Sequence, residues 1–369
     1  MSRLSLEVSR TDLALTRAFR IAGHVFTDTP VVTATVRSAG ASGRGEAAGV
    51  YYCADTADAA AETLRGLAGS LPSDLDRHAL RSLLPPGGAR NALDCALWEF
   101  EAREAGRHVW ELAGMPAPRP LLTTLTLGAE PPGEMAQAAV RLSTTRALKL
   151  KLDGDVDQDL ERVRAVRRAR PDVWLAVDAN QGYSTSTIER LIPVLVDARV
   201  ALLEQPFARG AEADLEGAAL PLPIAADESC LHLGELDALV GRFDVVNVKL
   251  DKCGGLTEGL MMAQHARRLG LQVMVGNMTG TSLCVAPAFV LGQLCDVVDL
   301  DAPLFIAEDP PPTATYIDGH VDCPPQVWGL LAVHARQAAE AFGPPSRASR
   351  PIPAPSDPDD ASRSALGAV

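Results

Sequence analysis

Between about residues 121 and 300, short apolar runs alternate with longer amphipathic segments. Eight runs read as β-strands that are buried on both faces, and helical segments separate them. In chain order the runs are Thr123–Leu127, Leu148–Leu152, Leu175–Asn180, Ala201–Pro206, Ile224–Glu228, Val245–Lys249, Gln272–Gly276 and Asp296–Leu300. This alternation predicts a parallel sheet with crossover helices. Eight strands favour a closed barrel. A doubly wound open sheet is the weaker alternative, because no Gly-x-Gly-x-x-Gly follows the first strand.

The chain before the barrel has a different pattern. Residues Leu4 to Gly49 read as strands and Ala57 to Leu112 as helices, which together make an α+β unit. We assign this domain to residues 1–115, with a C-terminal return at about 310–343, and the barrel to residues 116–309. Residues 344–369 are rich in Pro, Ala and Ser and are predicted to form a disordered tail.

Composition narrows the classes of function. The net charge of −13 argues against a nucleic-acid partner, because phosphate binding needs a basic surface. Seven scattered cysteines without a Cys-x-x-Cys suggest neither a disulfide framework nor a zinc site, and they fit a reducing cytoplasm. The first seven residues contain no apolar signal core, and no uncharged run is long enough to span a bilayer.

Five charged residues lie one per predicted strand, 22 to 27 positions apart, in the order Lys151, Asp178, Glu204, Asp227 and Lys249. One strand, one helix and two short loops take about that many residues. Charges at the ends of successive barrel strands would therefore meet at one mouth. Three carboxylates there suit Mg²⁺ or Mn²⁺. The alternative is that the carboxylates cap helices and the lysines are solvated, without a metal site. The occurrence of three acids on consecutive apolar strands disfavours this alternative.

The strand with Lys151 carries a second lysine, Lys149, on the same face, because side chains alternate along a strand. Repulsion between the two ammonium groups should lower the pKa of one of them towards neutrality. A metal between lysines suits removal of the weakly acidic proton beside a carboxylate, since the metal stabilises the resulting enediolate. Lysines on opposite faces of that carbon could remove and return the proton, which gives racemisation or epimerisation.

These residues carry a resemblance to the enolase superfamily, in its muconate lactonizing enzyme subgroup, over about residues 1–340. The matching pieces are Lys149-Leu150-Lys151, Asp178-Ala179-Asn180-Gln181-Gly182, Glu204-Gln205-Pro206, Ala226-Asp227-Glu228-Ser229, and Asn247-Val248-Lys249-Leu250 with Gly254-Gly255. Enolase-superfamily sites pair a lysine or histidine base with Mg²⁺. The resemblance implies a (β/α)₇β TIM-like barrel under an α+β capping domain.

The resemblance also implies roles for the charged residues. It assigns one metal ion per active site to the three carboxylates, the acid/base pair to Lys151 and Lys249, and a supporting role to Lys149. Asp299-Leu300-Asp301 is similar to the Asp-x-Asp of dipeptide epimerases, in which the aspartates bind the α-ammonium of the substrate. Thr126 and Met278 are further expected substrate contacts.

Two departures bear on the substrate. Gly280 stands where well-known relatives have a glutamate in a Gly-Ser-Met-x-Glu-(Ser/Thr) pattern. The predicted loop from Arg17 to His24 lies where the family recognises the distal side chain of the substrate, and His24 aligns by eye with an arginine of relatives that act on Ala-Glu. Arg20 could supply a cation for an acidic side chain. Tyr51 and Tyr52 either line this pocket or pack.

The leading hypothesis is therefore an isomerase: a Mg²⁺-dependent dipeptide epimerase that acts through two lysines. An N-acylamino acid racemase would use the same lysines and metal without a partner for an ammonium. Muconate cycloisomerase or o-succinylbenzoate synthase chemistry is a further alternative, which Asp299 and Asp301 disfavour. The expected partner is a small-molecule substrate, with no nucleic acid and no membrane. A homo-oligomer is expected because relatives commonly form dimers or larger rings.

Overall fold

The computed structural model describes residues 4–330 except 22, 39, 73 and 217–219. Its strands are β1 Ser5–Ile21, β2 His24–Arg37, β3 Ser42–Ala47, β4 Gly49–Val50, β5 Asp55–Thr56, β6 Leu121–Leu122, β7 Leu125–Leu127, β8 Ala147–Lys151, β9 Trp174–Asp178, β10 Leu202–Glu204, β11 Ile224–Ala226, β12 Val245–Lys249, β13 Gln272–Gly276, β14 Val297–Asp299, β15 Thr315–Ile317 and β16 His320–Asp322. Its α-helices are α1 Ala57–Ala68, α2 Arg77–Leu83, α3 Gly88–Ala105, α4 Val109–Leu112, α5 Pro132–Arg141, α6 Val156–Ala169, α7 Thr185–Asp197, α8 Leu250–Cys253, α9 Leu256–Arg268 and α10 Ser282–Gly292.

Strands β7 to β14 form one sheet in sequence order, and neighbouring strands in it pair in parallel. The amide of Thr124 donates to the main-chain oxygen of Val298 at 2.9 Å, which brings the two edges of the sheet together. The predicted class, a TIM-like barrel with a separate strand-rich domain, is confirmed.

Alternation along the strands separates the apolar and polar parts of the barrel. Outward residues such as Leu148 and Leu150 are fully buried beneath the surrounding helices. Inward residues low in the barrel form an apolar layer of Ala176, Leu202, Ala225, Val245 and Met274. The charged residues occupy the next inward positions, at the carboxyl ends of the strands, where (β/α)₈ barrels build their active sites.

Two crossovers differ from the predicted strand–helix alternation. In their described residues, the connections from β10 to β11 and from β11 to β12 carry 3₁₀ turns, Glu212–Leu215 and Leu233–Leu239, instead of α-helices. These two connections are also the shortest of those between the charged strands, so they leave less chain for a full helix.

The N-terminal domain packs an antiparallel sheet of β1, β2 and β3 against helices α1 to α3 around its own apolar core. Helix α3 docks on the barrel next to β12. The Arg90 guanidinium donates to the main-chain oxygens of Cys253 and Gly254, at 2.5 and 3.2 Å, and pairs with Glu258. The same α3 carries Asp94, which accepts from the amide of Thr257. The capping domain thus contacts the loop directly after the Lys249 strand.

The chain returns to the capping domain after the barrel. A hairpin of β15 and β16 turns at Asp318 and Gly319, which both have positive φ. Further on, the indole of Trp328 donates to the main-chain oxygen of Arg44 at 3.0 Å. The predicted tail, residues 344–369, lies outside the described residues. In the part of the chain that the structure describes, no helix combines the length and apolarity needed to cross a membrane.

Candidate active site

Parallel strands bring the five charged residues to one end of the barrel. Lys151, Asp178, Glu204 and Lys249 are the last residues of β8, β9, β10 and β12, and Asp227 directly follows β11. The three carboxylates are each almost completely buried. One oxygen from each lies within 4.8 Å of the others, an arrangement that could hold a metal ion.

Lysine side chains contact each of these carboxylates. Lys151 Nζ lies 2.5 Å from Asp178 Oδ2, and Lys249 Nζ lies 2.7 Å from Asp227 Oδ2. Lys149 lies deeper in the barrel, with Nζ 3.1 Å from Asp178 Oδ2 and 2.7 Å from Glu204 Oε2. The site is therefore a compact array of alternating charges.

The expected lowering of a lysine pKa is wrong for Lys149. Burial does oppose its charge, but the carboxylates of Asp299, Glu204 and Asp178 outweigh burial and raise the pKa well above its usual range. The sequence showed the neighbouring lysine on the same strand, whereas the three acids come from other strands. Lys149, 1% exposed, is thus favoured in its charged form by three acids from other strands.

The carboxylates fit a hard divalent cation. Burial would raise the pKa of Asp178, but Lys151 and Lys149 lower it to about 2. Burial is likewise overcome at Asp227, where Lys249 and Lys252 lower the pKa. Burial and the charge of Asp178 raise the pKa of Glu204, whose Oε2 lies 2.7 Å from Lys149 Nζ. Together the three carboxylates offer an all-oxygen donor set, which Mg²⁺ prefers.

Lys252 is a residue of the site that was not predicted. This buried lysine donates from Nζ to Asp227 Oδ1 at 2.6 Å and to the main-chain oxygens of Asp227 and Asn247. A signal for it was present in the sequence. Among 34 Lys and Arg residues the chain has four lysines, at 149, 151, 249 and 252, and all four lie at this site.

A cavity of about 180 Å³ opens above the array, between the barrel mouth and the capping domain. Lys151, Lys249 and Asp227 form part of its floor. Its lining also includes side chains with a buried polar atom for which the described residues offer no hydrogen-bond partner: Tyr52, Asn180, Glu228 and Asn277. Buried polar groups normally pair with the protein, with ordered water or with a bound group. Because both lysines and Asp227 also line this cavity, it is the candidate substrate site.

The two residues of the Asp-x-Asp pair, Asp299 and Asp301, have different hydrogen-bond partners. Asp299 accepts from Lys149 Nζ at 2.9 Å and from the Thr124 hydroxyl. Asp301 accepts from the amide of Thr126 at 2.6 Å, and both of these residues line a neighbouring groove beside Phe305. Burial and the charge of Asp299 raise the pKa of Asp301 to about 7.

The segment from Arg17 to His24 belongs to a β-hairpin and is not the expected loop. Arg17 to Ile21 are the last residues of β1, and His24 is the first residue of β2. Arg20 points away from the cavity; its guanidinium is 3.8 Å from Glu130. That Arg20 supplies a cation for an acidic side chain of the substrate stays a prediction. His24 stacks at the rim on Tyr51, at 5.4 Å between ring centroids. Tyr51, Tyr52 and Met278 line the cavity.

Gly280 stands where relatives have a glutamate, and a carboxylate of the capping domain lies beside it. A Cβ on Gly280 would come within 3.0 Å of Glu46 Oε1. Glu46, on β3 of the capping domain, accepts from the amide and the hydroxyl of Thr281, both at 2.8 Å. A carboxylate therefore does stand beside this loop, although it belongs to a different part of the chain.

A barrel with a carboxylate triad between two lysines, under an α+β cap, defines a protein of the enolase superfamily. Family models agree: residues 5–114 match the mandelate racemase/muconate lactonizing enzyme N-terminal domain, and residues 133–330 match the enolase C-terminal domain-like family. The chain belongs to the mandelate racemase/muconate lactonizing enzyme family of this superfamily.

Relatives within the family are similar over most of their length. An L-Ala-D/L-Glu epimerase of Escherichia coli (strain K12) is 36% identical over 82% of this chain and 94% of that protein. A structure of an enolase family member from Agrobacterium tumefaciens with homology to dipeptide epimerases, holding sodium and L-Ala-L-Glu, has a TM-score of 0.84 at 35% identity, over 88% of this chain and 100% of that one. The dipeptide epimerase of Enterococcus faecalis V583, complexed with Mg and L-Leu-L-Tyr, has a TM-score of 0.81 at 26% identity, over 89% and 99%. These relatives confirm the prediction of an isomerase resembling dipeptide epimerases.

Proposed function

We propose that this chain is a Mg²⁺-dependent dipeptide epimerase that transfers a proton between Lys151 and Lys249. One observation carries the proposal: both lysines line the same cavity from opposite sides. Their strands, β8 and β12, are the second and sixth of the eight, so they face each other across the barrel. A substrate carbon between them would meet one amine on each face.

The metal would be held by Asp178, Glu204 and Asp227, one ion per active site, and Mn²⁺ shares the preference for these oxygens. Bound there, it would stabilise the negative charge that develops on a substrate carboxylate when the neighbouring proton leaves. Lys149 pairs with two of these carboxylates and so offsets part of their mutual repulsion.

The lysines themselves move the proton. One of them, as the neutral amine, accepts the proton from one face of the α-carbon, and the other, as ammonium, donates a proton to the opposite face. The configuration inverts, and the two lysines exchange protonation states. The reverse reaction uses the same pair in opposite roles, which is why both must stand within reach of one carbon.

The dipeptide part of the proposal depends on Asp299 and Asp301. Both are buried carboxylates on the last barrel strand and the turn after it. Asp299 already accepts from Lys149 and Asp301 accepts from the Thr126 amide, so Asp301 is the acid to which the free α-ammonium of a dipeptide would add a cationic partner. An N-acylamino acid has no such group, so this pair supports the dipeptide over the N-acyl alternative.

Proton exchange in D₂O tests the proposal. The Mg²⁺-loaded enzyme is incubated with a mixed dipeptide library and, separately, with N-acylamino acids, and mass gain at the α-carbon is followed. We expect a gain of one deuterium in dipeptides. Exchange only in N-acylamino acids would replace the dipeptide with the N-acyl class, and no exchange in either would refute proton transfer. Homo-oligomerisation, the cytoplasmic location and the domain boundaries stay predictions.

A further inference from the structure

The cavity wall opposite the lysines is one face of the β1–β2 hairpin. Phe19 pairs with Phe26 across the two strands, Arg20 pairs with Val25, and Ile21 pairs with His24. Cross-strand partners share a face, so Phe19, Phe26 and Ile21 lie together, and all three line the cavity. Arg20 and Val25 lie on the other face.

The hairpin is held against the barrel. The amide of Ala129 donates to the main-chain oxygen of Arg20 at 3.1 Å, and the amide of Thr16 donates to that of Phe305 at 2.8 Å. The rings of Phe19 and Phe305 pack with centroids 4.8 Å apart. These main-chain hydrogen bonds join β1 to two segments of the barrel and fix which face of the hairpin is turned inward.

Aromatic rings extend this wall. Tyr51 lies edge-on to Phe26 at 5.3 Å and to Tyr52 at 5.0 Å. The whole cavity, which the α-carbon and its side chain would share, has a volume of about 180 Å³. Aromatic rings pack favourably on one another, so this wall suits an aromatic side chain.

The charges on the wall are unsuited to an acidic side chain. Among the described residues that line the cavity, the cations are Lys151 and Lys249, which the reaction itself uses. The remaining charged groups are acidic and include Asp28, Asp55 and Glu228. A substrate carboxylate placed here would lose its hydration without gaining a cationic partner.

We propose that this cavity takes an apolar side chain of aromatic size on the residue whose α-carbon reacts, and that it rejects glutamate. The inference rests on the proposed function, because the two lysines define which carbon reacts. Similar structures hold L-Ala-L-Glu in one case and L-Leu-L-Tyr in another, so the fold alone leaves both classes open.

Three dipeptides test the inference: L-Ala-L-Phe, L-Ala-L-Glu and L-Ala-L-Lys, compared by kcat/KM for α-proton exchange in D₂O. We expect L-Ala-L-Phe to exceed L-Ala-L-Glu by about 100-fold, the scale on which a site rejects a group that it cannot pair. A higher value for L-Ala-L-Glu or L-Ala-L-Lys would overturn the inference while leaving the epimerase proposal intact. No exchange with any dipeptide would refute the proposed function, and the inference with it.

Two variants test whether the inner face of the hairpin determines which substrate side chain is preferred. Phe26→Arg puts a cation on the inner face, and Val25→Arg puts the same cation on the outer face of the same strand. We expect Phe26→Arg to shift the L-Ala-L-Glu to L-Ala-L-Phe ratio by about 10-fold or more towards glutamate, and Val25→Arg to leave it unchanged. Equal ratios in the two variants would show that the side chain does not bind against this wall.

Discussion

Lys252 Nζ donates hydrogen bonds to Asp227 Oδ1 and to the main-chain oxygen of Asp227, both at 2.6 Å. Lys249 approaches the other carboxylate oxygen, Oδ2. Each of the two ammonium groups thus contacts a different oxygen of the Asp227 carboxylate. Since Lys252 also donates to the main chain of Asn247 on β12, it fixes the orientation of Asp227 relative to the Lys249 strand.

Lys252→Met should weaken Mg²⁺ binding by about 10- to 100-fold, because groups that orient metal ligands have effects of that size. Isothermal titration calorimetry with MgCl₂ alone measures this. Arg190→Met is the matched control, since it removes a cation from an exposed ion pair with Asp157. Equal affinities in the two variants would mean that Lys252 does not position the ligand.

Lys151→Ala and Lys249→Ala should each abolish epimerisation, because each removes the amine from one face of the α-carbon. Either variant can still exchange the proton of one enantiomer through the remaining lysine. Chiral chromatography for inversion and mass gain in D₂O for exchange separate the two effects. Normal epimerisation by both variants would exclude the two-lysine mechanism.

Asp301→Asn should raise KM for dipeptides by about 10-fold or more, since a buried ammonium loses its charged partner. N-acylamino acids, which have no ammonium, should be affected little. Steady-state kinetics with one substrate of each kind give the comparison. Equal effects on both substrates would mean that Asp301 acts structurally, through its hydrogen bond with the Thr126 amide, and does not bind the substrate ammonium.

Gly255→Ala should destabilise the fold by about 2 kcal/mol or more, as overpacking at a strained backbone position does. Gly255 has a φ of 115°, and a Cβ there would come 2.4 Å from Asp94 Oδ2, in the contact between the two domains. Gly66→Ala is the control: that glycine lies in α1 with open space around it, so alanine should stabilise by about 0.5–1 kcal/mol. Urea unfolding measures both; a tolerated Gly255→Ala would contradict the close contact.

Glu46 should make stability depend on pH. Burial raises the pKa of Glu46 from 4.5 to about 7, despite its bonds with Thr281. Between these values the folded protein holds a proton that the unfolded chain has lost, so this contribution to stability decreases as pH rises from about 4.5 to about 7. The full change is about 3 kcal/mol, at about 1.4 kcal/mol per pKa unit.

Glu46→Gln removes the titration, so the difference in unfolding free energy between wild type and variant should change with pH across that interval. Glu62→Gln, at an exposed position, serves as the control for the substitution itself. Urea unfolding at a series of pH values from 4 to 8 measures both differences. A constant difference for Glu46→Gln would mean that the carboxyl titrates alike in the folded and unfolded chain.

Local pattern was sufficient for the barrel. Each strand is a short apolar run whose outward face must be covered, as Leu148 and Leu150 show, and repeated strand–helix alternation restricts the topology. The pattern did not predict that two crossovers carry 3₁₀ turns, because a short connection between buried strands can be completed in several ways. The inward direction of Phe26 and the outward direction of Arg20 follow from the hairpin register, which an approximate alignment of the segment did not give.

Which residues meet at the barrel mouth follows from spacing along the chain, because one charge per strand brings together Lys151, Asp178, Glu204, Asp227 and Lys249. The surroundings of these residues depend on the fold. Lys149 is charged because three acids from other strands enclose it, Lys252 belongs to the site because the turn after β12 folds back on Asp227, and the cavity wall is apolar because a hairpin from the other domain covers it. Electrostatic and packing environments are set by neighbours distant along the chain, so no local pattern contains them.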